Sequence, residues 1–293
     1  MSRKRRRMEY DLKKISDVLI PSDEELEDRK TIANTLFEIL NRKSKFKIDR
    51  IELSCSIEKQ IAITMELEFQ YIVFINEELP PFKNVIDDFE EILSLEENWN
   101  QKVEIYRSLN SIRVTLNHMK LDVIPATNFI NDASLQRIHI YKLIKTKRSQ
   151  DGYKFSSSLS ESRAEFIKRQ SKLAHSLIRL VKFWKRTLYI KKYSTEILWM
   201  LETVAIYVEN EEKTSEYYSL LKAFRHFMKL IKNLNNLNVI FEEYYSITDV
   251  KDFILRQRPL VLDPSNPCNN LAYPFIHNEE MKILLQEFAE TTL

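Results

Sequence analysis

The sequence predicts an α+β fold in which a lobe built on a mixed sheet is followed by an all-helical lobe. Apolar residues alternate with polar ones, or run together, in several strand-like segments that end by residue 127, and stretches of helical period lie between them. Strand patterns nearly vanish after residue 155. A polar stretch at residues 151–160 separates the two halves and contains the only glycine, Gly152.

The sheet-containing lobe begins with a helix. Ser22 can cap its N-terminus together with Glu25, three residues later, and apolar side chains then recur at helical spacing up to Lys43. The pattern predicts the remaining elements of this lobe in order: strands at residues 46–57 and 65–75, an acidic helical stretch at 80–109, and strand again within 111–127.

The second lobe consists of long helical stretches. By length and periodicity they are residues 160–189, 194–210 and 215–237. Residues 258–272 follow, and their prolines and asparagines favour an extended segment that leads into a turn. We therefore expect three parts: a basic N-terminal segment at 1–20, the sheet-containing lobe at 21–155 and the helical lobe at 156–293.

Composition excludes several classes of protein. No run of about 18 apolar residues occurs, and no apolar segment follows the basic N-terminus, so we expect neither a membrane span nor a secretory signal. The lone glycine leaves no glycine-rich phosphate loop. Cys55, Cys268 and the five histidines show no metal-ligand spacing. We expect a cytoplasmic protein, with nuclear entry through the basic segment as the alternative.

Basic residues crowd the N-terminus, where seven of the first 14 residues are lysine or arginine. Such a run is typical of a disordered, solvated tail, and also of a nuclear-localisation signal or a nucleic-acid-binding patch. Both interpretations stay open on this pattern alone.

A row of polar side chains lies on one face of the strand predicted at residues 65–75. Strand alternation puts Glu66, Glu68 and Gln70 on that face, and Asp122 lies in a later strand that can pair with it. Carboxylates on one face of neighbouring strands can hold two divalent cations near a nucleoside triphosphate. The sequence therefore predicts a two-metal site at Glu66, Glu68 and Asp122, with solvated strand glutamates as the alternative.

Three segments, in the same order along the chain, resemble parts of the 2'-5'-oligoadenylate synthetases. Residues 120–126 (KLDVIPA) resemble their third-acid strand, residues 155–186 their central helical segment, and residues 258–272 the signature that ends their helical domain. The resemblance implies a nucleotidyltransferase-fold lobe, a helical lobe and an active cleft between them, as in the related cyclic GMP–AMP synthase. It also implies binding of double-stranded RNA, use of ATP and Mg²⁺, and a role in innate immunity.

The resemblance implies roles for particular residues of the first lobe. Ser56 and Lys59 match the family's nucleotide-binding loop, although Cys55 stands where the family has glycine. Counting from Ser56, the family's first metal acid falls on Glu68 and its second on Gln70, a neutral amide. Counting from Ser54 instead, the acids fall on Glu66 and Glu68. We favour the first register, because the flanking strand then matches without a gap.

In the helical lobe, Arg179 and Lys182 match basic residues that lie near the donor triphosphate in the family. The alternative interpretation of these two residues is that they are exposed on the polar face of an amphipathic helix. Ile197 stands where the family has a tyrosine that stacks near an adenine. Duplex RNA is recognised chiefly by its shape and phosphates, so it binds basic faces. The residues predicted to form this face are Arg5, Arg6, Arg7, Lys14, Lys43 and Lys45.

The sequence thus favours an oligoadenylate-synthetase-like protein that binds double-stranded RNA or nucleotide and has weakened or lost catalysis. One alternative is an active, RNA-stimulated transferase that makes 2'-5'-linked or cyclic oligonucleotides from ATP with Glu66, Glu68 and Asp122. The other is a non-catalytic scaffold for protein interactions.

Overall fold

The computed structural model describes most of the chain. The described residues are 3–53, 61–64, 68–77, 82–95, 97, 99, 102–107, 111–116, 119–128, 155–188, 194–215 and 218–293, with no side-chain description for 68 and 194–196. They divide into two compact units. We call residues 21–165 the sheet unit, and residues 1–20 with 166–293 the helical unit. The basic N-terminal segment at residues 1–20 belongs to the helical unit.

Helices and strands are mixed in the first half of the chain, and helices predominate in the second half. In chain order they are α1 (Arg3–Val18), α2 (Asp23–Lys43), β1 (Ile48–Leu53), β2 (Glu68–Ile75), α3 (Phe82–Leu93), β3 (Val103–Arg107), β4 (Ile112–Leu116), β5 (Met119–Thr127), α4 (Ser160–Lys168), α5 (Lys172–Arg186), α6 (Ser194–Glu212), α7 (Leu220–Lys232), β6 (Asn238–Val239), α8 (Asp252–Leu255), β7 (Leu260–Asp263), β8 (Asn266–Asn270), α9 (Tyr273–Ile276) and α10 (Glu279–Thr292). The predicted α+β class is confirmed.

A five-stranded mixed sheet forms the centre of the sheet unit, with strand order β1-β2-β5-β4-β3. β2 and β5 run parallel, whereas the other neighbours are antiparallel. One face of the sheet packs against α2 and α3 through a core that includes Leu36, Phe89, Tyr71 and Val123. Burial of this apolar surface is the main source of the unit's stability.

Helix α2 begins as its sequence predicts. The Ser22 hydroxyl accepts a hydrogen bond from the Glu25 amide at 3.2 Å, and the Glu25 carboxylate accepts one from the Ser22 amide at 2.9 Å. This capping box satisfies two amide donors that the helix itself cannot pair.

The helix predicted over residues 80–109 is wrong at its C-terminal end. α3 ends at Leu93, and Val103–Arg107 forms the edge strand β3, which pairs with β4. The segment VEIYR alternates apolar and polar side chains and contains two β-branched residues, which favours strand over helix.

In the helical unit, the basic N-terminus is a helix, so the alternative of a disordered tail is wrong. The Glu9 carboxylate in α1 accepts hydrogen bonds from the amides of Leu220 and Leu221, at 3.1 and 2.7 Å, at the N-terminus of α7. A carboxylate here satisfies unpaired amides and complements the helix dipole. At the other end of α1, Arg179 Nε donates to the Ser16 carbonyl at 3.1 Å. Polar contacts near both ends thus attach α1 to its unit.

The segment at residues 258–272 is extended, as predicted, and forms β7, β8 and the turn between them. Asn270, which is 6% exposed, stabilises it. Its side-chain oxygen accepts from the amides of Val261 and Ala272, and its side-chain nitrogen donates to the Pro259 carbonyl, each at 3.0 Å. A single asparagine side chain therefore satisfies three buried backbone groups.

No helix in the part of the chain that the structure describes is both long enough and apolar enough to cross a membrane.

Candidate active site

The polar row of the sequence analysis lies beside Asp122 in the sheet. In the parallel ladder between β2 and β5, Gln70 pairs with Asp122 and Glu68 pairs with Lys120. The side chain of Glu68 lies outside the description, and so do Glu66 and the loop residues Ser56 and Lys59. Their predicted roles stay predictions.

Gln70 and Asp122 belong to the face of the sheet that is turned away from the α2 and α3 core. Alternation assigns Phe69, Tyr71, Leu121 and Val123 to that core. The other face carries a smaller apolar cluster at Ile72, Phe74, Ile124 and Ala126. Gln70 and Asp122 therefore lie on the same face of the sheet as this second cluster. They are paired with each other across β2 and β5.

An arginine binds Asp122. Arg113 lies in β4 directly opposite Asp122 in the antiparallel ladder between β4 and β5. Its Nε and one terminal nitrogen donate to the two carboxylate oxygens, each at 2.6 Å. The side chain of Asp122 is only 9% exposed and that of Arg113 is 20% exposed. The planar guanidinium fork matches the carboxylate geometry, so one cation engages both oxygens.

Sequence reasoning missed Arg113, although the hairpin pattern contains a signal for it. Residues 112, 114 and 116 are apolar and buried, which leaves positions 113 and 115 on the opposite face. The pairing of Leu116 with Met119 puts Arg113 opposite Asp122. The sequence pattern predicts strand within residues 111–127 but does not locate the turn between β4 and β5. Without the position of that turn, the residue of β4 that pairs with Asp122 cannot be identified.

The described residues do not fit a two-metal centre. Both oxygens of Asp122 are held by a guanidinium, and Gln70, its neighbour in β2, supplies a neutral amide. A divalent cation prefers several charged oxygen ligands. Nowhere in the described ranges do three or more histidine, cysteine, aspartate or glutamate residues cluster in a way that could hold a metal.

A second charged cluster lies on β1, the strand next to β2. The Arg50 guanidinium contacts Asp49 at 2.7 Å, Glu52 at 3.0 Å and Glu161 at 2.8 Å. It also stacks over the Phe74 ring, 3.9 Å from the ring centre. Burial, with a hydrogen bond and repulsion from Glu161, raises the pKa of Glu52 to about 8, although Arg50 opposes the shift. The environment of Glu52 in the folded protein therefore favours its protonated form more than water does.

The predicted triphosphate residues Arg179 and Lys182 are both buried in α5, at 8% and 2% exposure. The alternative of exposed basic residues on an amphipathic helix is therefore wrong. Arg179 donates to the Ser16 carbonyl at 3.1 Å and to the Ser176 hydroxyl at 3.2 Å. Burial lowers the pKa of Arg179, against an opposing attraction from Asp17. Ile197 is fully buried, as expected of an aliphatic side chain.

The residues predicted to bind RNA lie in both units. Arg5, Arg6, Arg7 and Lys14 are exposed on α1. In the sheet unit, carboxylates partly offset the charge of the other two: Lys43 contacts Glu97 at 2.9 Å, and Lys45 lies 3.6 Å from Asp88 and 3.7 Å from Glu91. The predicted cleft between the lobes stays a prediction.

Comparison with known families finds a match over most of the second half of the chain. The family described as "2'-5'-oligoadenylate synthetase 1, domain 2, C-terminus" matches residues 134–292, more than half of the 293 residues. This chain is 29% identical to mouse 2'-5'-oligoadenylate synthase-like protein 2 over 164 residues, which are 52% of this chain and 32% of that protein. It is 32% identical to mouse inactive 2'-5' oligoadenylate synthetase 1C over 128 residues, 40% of this chain and 35% of that protein. The chain thus spans about a third of the length of these relatives.

Comparison with solved structures shows the fold. The structure of E. coli MS115-1 CdnC with ATP has a TM-score of 0.59 and 16% identity, covering 93% of this chain and 85% of that chain. A mutant of the Cid1 poly(U) polymerase bound to MgATP has a TM-score of 0.60 and 14% identity, covering 97% of this chain and 93% of that chain. The fold is that of the nucleotidyltransferases.

Proposed function

Because the chain belongs to the 2'-5'-oligoadenylate synthetase family, we propose that it is a family member with weakened or lost catalysis that binds double-stranded RNA or a nucleotide. The observation that supports this most directly is the forked contact between Arg113 and Asp122, beside the neutral Gln70. A relative named as inactive among the similar mouse proteins is consistent with it.

The requirements of two-metal catalysis explain why we expect weakened catalysis. Two-metal catalysis needs carboxylates that bridge the cations and offset their charge while the attacking and leaving oxygens are bound. Here the charge of Asp122 is neutralised by Arg113, and the amide of Gln70 adds none. Loss of one such ligand removes both metal affinity and the stabilisation of charge in the transition state.

Retained binding has separate support. The exposed arginines of α1 offer cations that suit phosphate contacts without base readout. ATP in two structural neighbours of the same fold supports a nucleotide as the second ligand.

A synthesis assay tests the proposal. Purified protein is incubated with ATP, Mg²⁺ or Mn²⁺ and duplex RNA, and products are separated by ion-exchange chromatography and identified by mass spectrometry. We expect no oligomer above the level of an Asp122→Asn variant. Robust synthesis of 2'-5'-linked or cyclic products that disappears in Asp122→Asn would establish the active transferase instead.

RNA binding is tested with surface substitutions in place of a deletion, because Glu9 attaches α1 to α7 and removal of α1 would disrupt the unit. Replacing Arg5, Arg6 and Arg7 by alanine should weaken duplex binding and lower its salt dependence by about 1 in slope for each lost phosphate contact. The matched control is Lys229→Ala, an exposed lysine on α7. Equal affinity of all three proteins would remove the RNA-binding part of the proposal and favour the scaffold.

A further inference from the structure

We propose that the groove between α1, α7 and the C-terminal end of α10 docks an acidic amphipathic peptide, with an apolar side chain in the groove and a carboxylate on Arg225. This inference goes beyond RNA and nucleotide binding, because it adds a protein partner. The residues that form the groove all belong to the helical unit.

The groove has largely apolar walls and a volume of about 200 Å³. Its apolar lining residues are Met8 and Leu12 on α1, Leu221 and Phe224 on α7, and Leu293 after α10. Pockets for small organic ligands usually have volumes of about 300–1,000 Å³. The groove is therefore small for a nucleotide, but it can hold one or two apolar side chains of a partner. Leu293 is 45% exposed, so part of this apolar surface is left for a partner to cover.

Arg225 brings a positive charge to the groove. Its guanidinium donates to the sulfur of Met8 at 3.9 Å, and a thioether is a weak, uncharged acceptor. In the part of the chain that the structure describes, no carboxylate forms an ion pair with Arg225. The side chain is half-buried, so its charge is partly desolvated and gains from a carboxylate that can engage the guanidinium fork.

Two further cations lie beside the groove on α1. Lys4 is one helical turn before Met8, and Arg7 is one turn before Asp11, which also lines the groove. Lys4 and Arg7 are exposed, and neither forms an ion pair with a described carboxylate. These two residues and Arg225 outnumber the carboxylates of this surface, which are those of Asp11 and the chain end at Leu293. The excess of positive charge attracts an acidic partner.

A peptide fits the groove better than duplex RNA does. Duplex RNA is also negatively charged, but it presents phosphates and hydroxyl groups and so leaves an apolar groove unfilled. An amphipathic helix carries apolar side chains on one face, and an acidic residue one turn away can reach a cation at the edge of the groove. The combination of apolar walls and an unneutralised guanidinium therefore favours a peptide that is both apolar and acidic.

Peptide selection tests the inference. A library of random peptides displayed on phage is selected on the immobilised full chain, and the enriched peptides are synthesised with a fluorescent label for anisotropy titration. We expect enrichment of peptides that combine acidic residues with large apolar residues at helical spacing. Arg225→Gln should weaken their binding roughly tenfold, the equivalent of about one charge-assisted hydrogen bond. Leu293→Ala should weaken it about fivefold, because it removes part of the apolar wall.

Three features of the design keep the result interpretable. Arg225→Lys retains the charge and should bind the peptides more tightly than Arg225→Gln does. Leu293→Ala changes an exposed side chain, so it tests the groove even if Arg225→Gln folds poorly. Arg256→Gln is the matched control, since Arg256 is an exposed arginine of the same unit that does not line the groove, and it should leave peptide binding unchanged.

Several outcomes would overturn the inference. These are the absence of enriched peptides, peptides that bind Arg225→Gln and Leu293→Ala as tightly as the wild type, and peptides that are sensitive to Arg225→Gln alone. Duplex RNA separates the inference from the proposed function: we expect Leu293→Ala to keep wild-type affinity for RNA, because phosphate contacts need no apolar wall. Equal weakening of RNA and peptide binding by Leu293→Ala would assign the groove to RNA and overturn the inference alone. Absence of RNA binding would overturn that part of the proposed function and leave the peptide result unaffected.

Discussion

The pair formed by Arg113 and Asp122 should be energetically coupled, and a double-mutant cycle with Arg113→Met and Asp122→Asn measures the coupling. Removing one partner of a buried ion pair costs about 3–5 kcal/mol, because the remaining charge stays desolvated. The Asp122 side chain is 9% exposed and Arg113 is 20% exposed, so water recovers little of that loss. We expect Arg113→Met to lower the free energy of unfolding by about 3 kcal/mol, with a coupling energy of about 2 kcal/mol.

Urea denaturation followed by circular dichroism measures the effect, and about 3 kcal/mol corresponds to a midpoint shift of about 1 M or slightly more. Amide hydrogen exchange of peptides from β4 and β5 tests whether the loss is confined to the sheet unit. Arg107→Met, which removes an exposed ion pair on β3, should cause no measurable shift. A coupling energy below about 0.5 kcal/mol, as in surface pairs, would refute the reasoning.

Three other predictions concern groups outside this pair. The pKa of Glu52, raised from 4.5 to about 8, lets the folded protein hold a proton that the unfolded chain releases; stability should therefore fall by on the order of a few kcal/mol between about pH 5 and pH 8. Glu52→Gln should flatten this fall in thermal denaturation, and parallel curves for variant and wild type would contradict it. Glu9→Ala should lower the melting temperature by about 4 °C through loss of two capping bonds to α7. Lys13→Ala, which removes only an exposed partner of Glu9, is its control, and equal shifts would count against the capping role. Asn270→Ala should cost about 3 kcal/mol because it leaves buried amides unpaired, whereas a melting temperature within about 2 °C of wild type would show that water replaces the side chain.

Much of the fold follows from local sequence patterns. The capping box at Ser22 and Glu25 marked the start of α2, and alternation identified the strands that contain Gln70 and Asp122. These features depend on the spacing of residues that are close together in the chain, so they can be recognised in the sequence alone. β3 was missed because a short exposed edge strand has only five residues in which to show its period, next to an acidic helix.

The candidate site was less predictable, because it depends on contacts between distant segments. The basic run at the N-terminus looks like a tail in composition, but Glu9 and Ser16 attach it to α7 and α5, more than 150 residues away. The charge pattern alone therefore could not distinguish a disordered tail from the packed helix α1. Arg113 was overlooked for a related reason: its effect on Asp122 depends on hairpin register, which a one-residue change would reverse.

X-ray diffraction from crystals grown with ATP and Mn²⁺ tests the central claim most directly, since the anomalous signal of manganese locates the ion independently of the surrounding protein. We predict that Arg113 keeps both contacts with Asp122 and that no manganese peak lies beside that carboxylate. A manganese ion about 2 Å from an Asp122 oxygen, with Arg113 turned away, would contradict the account.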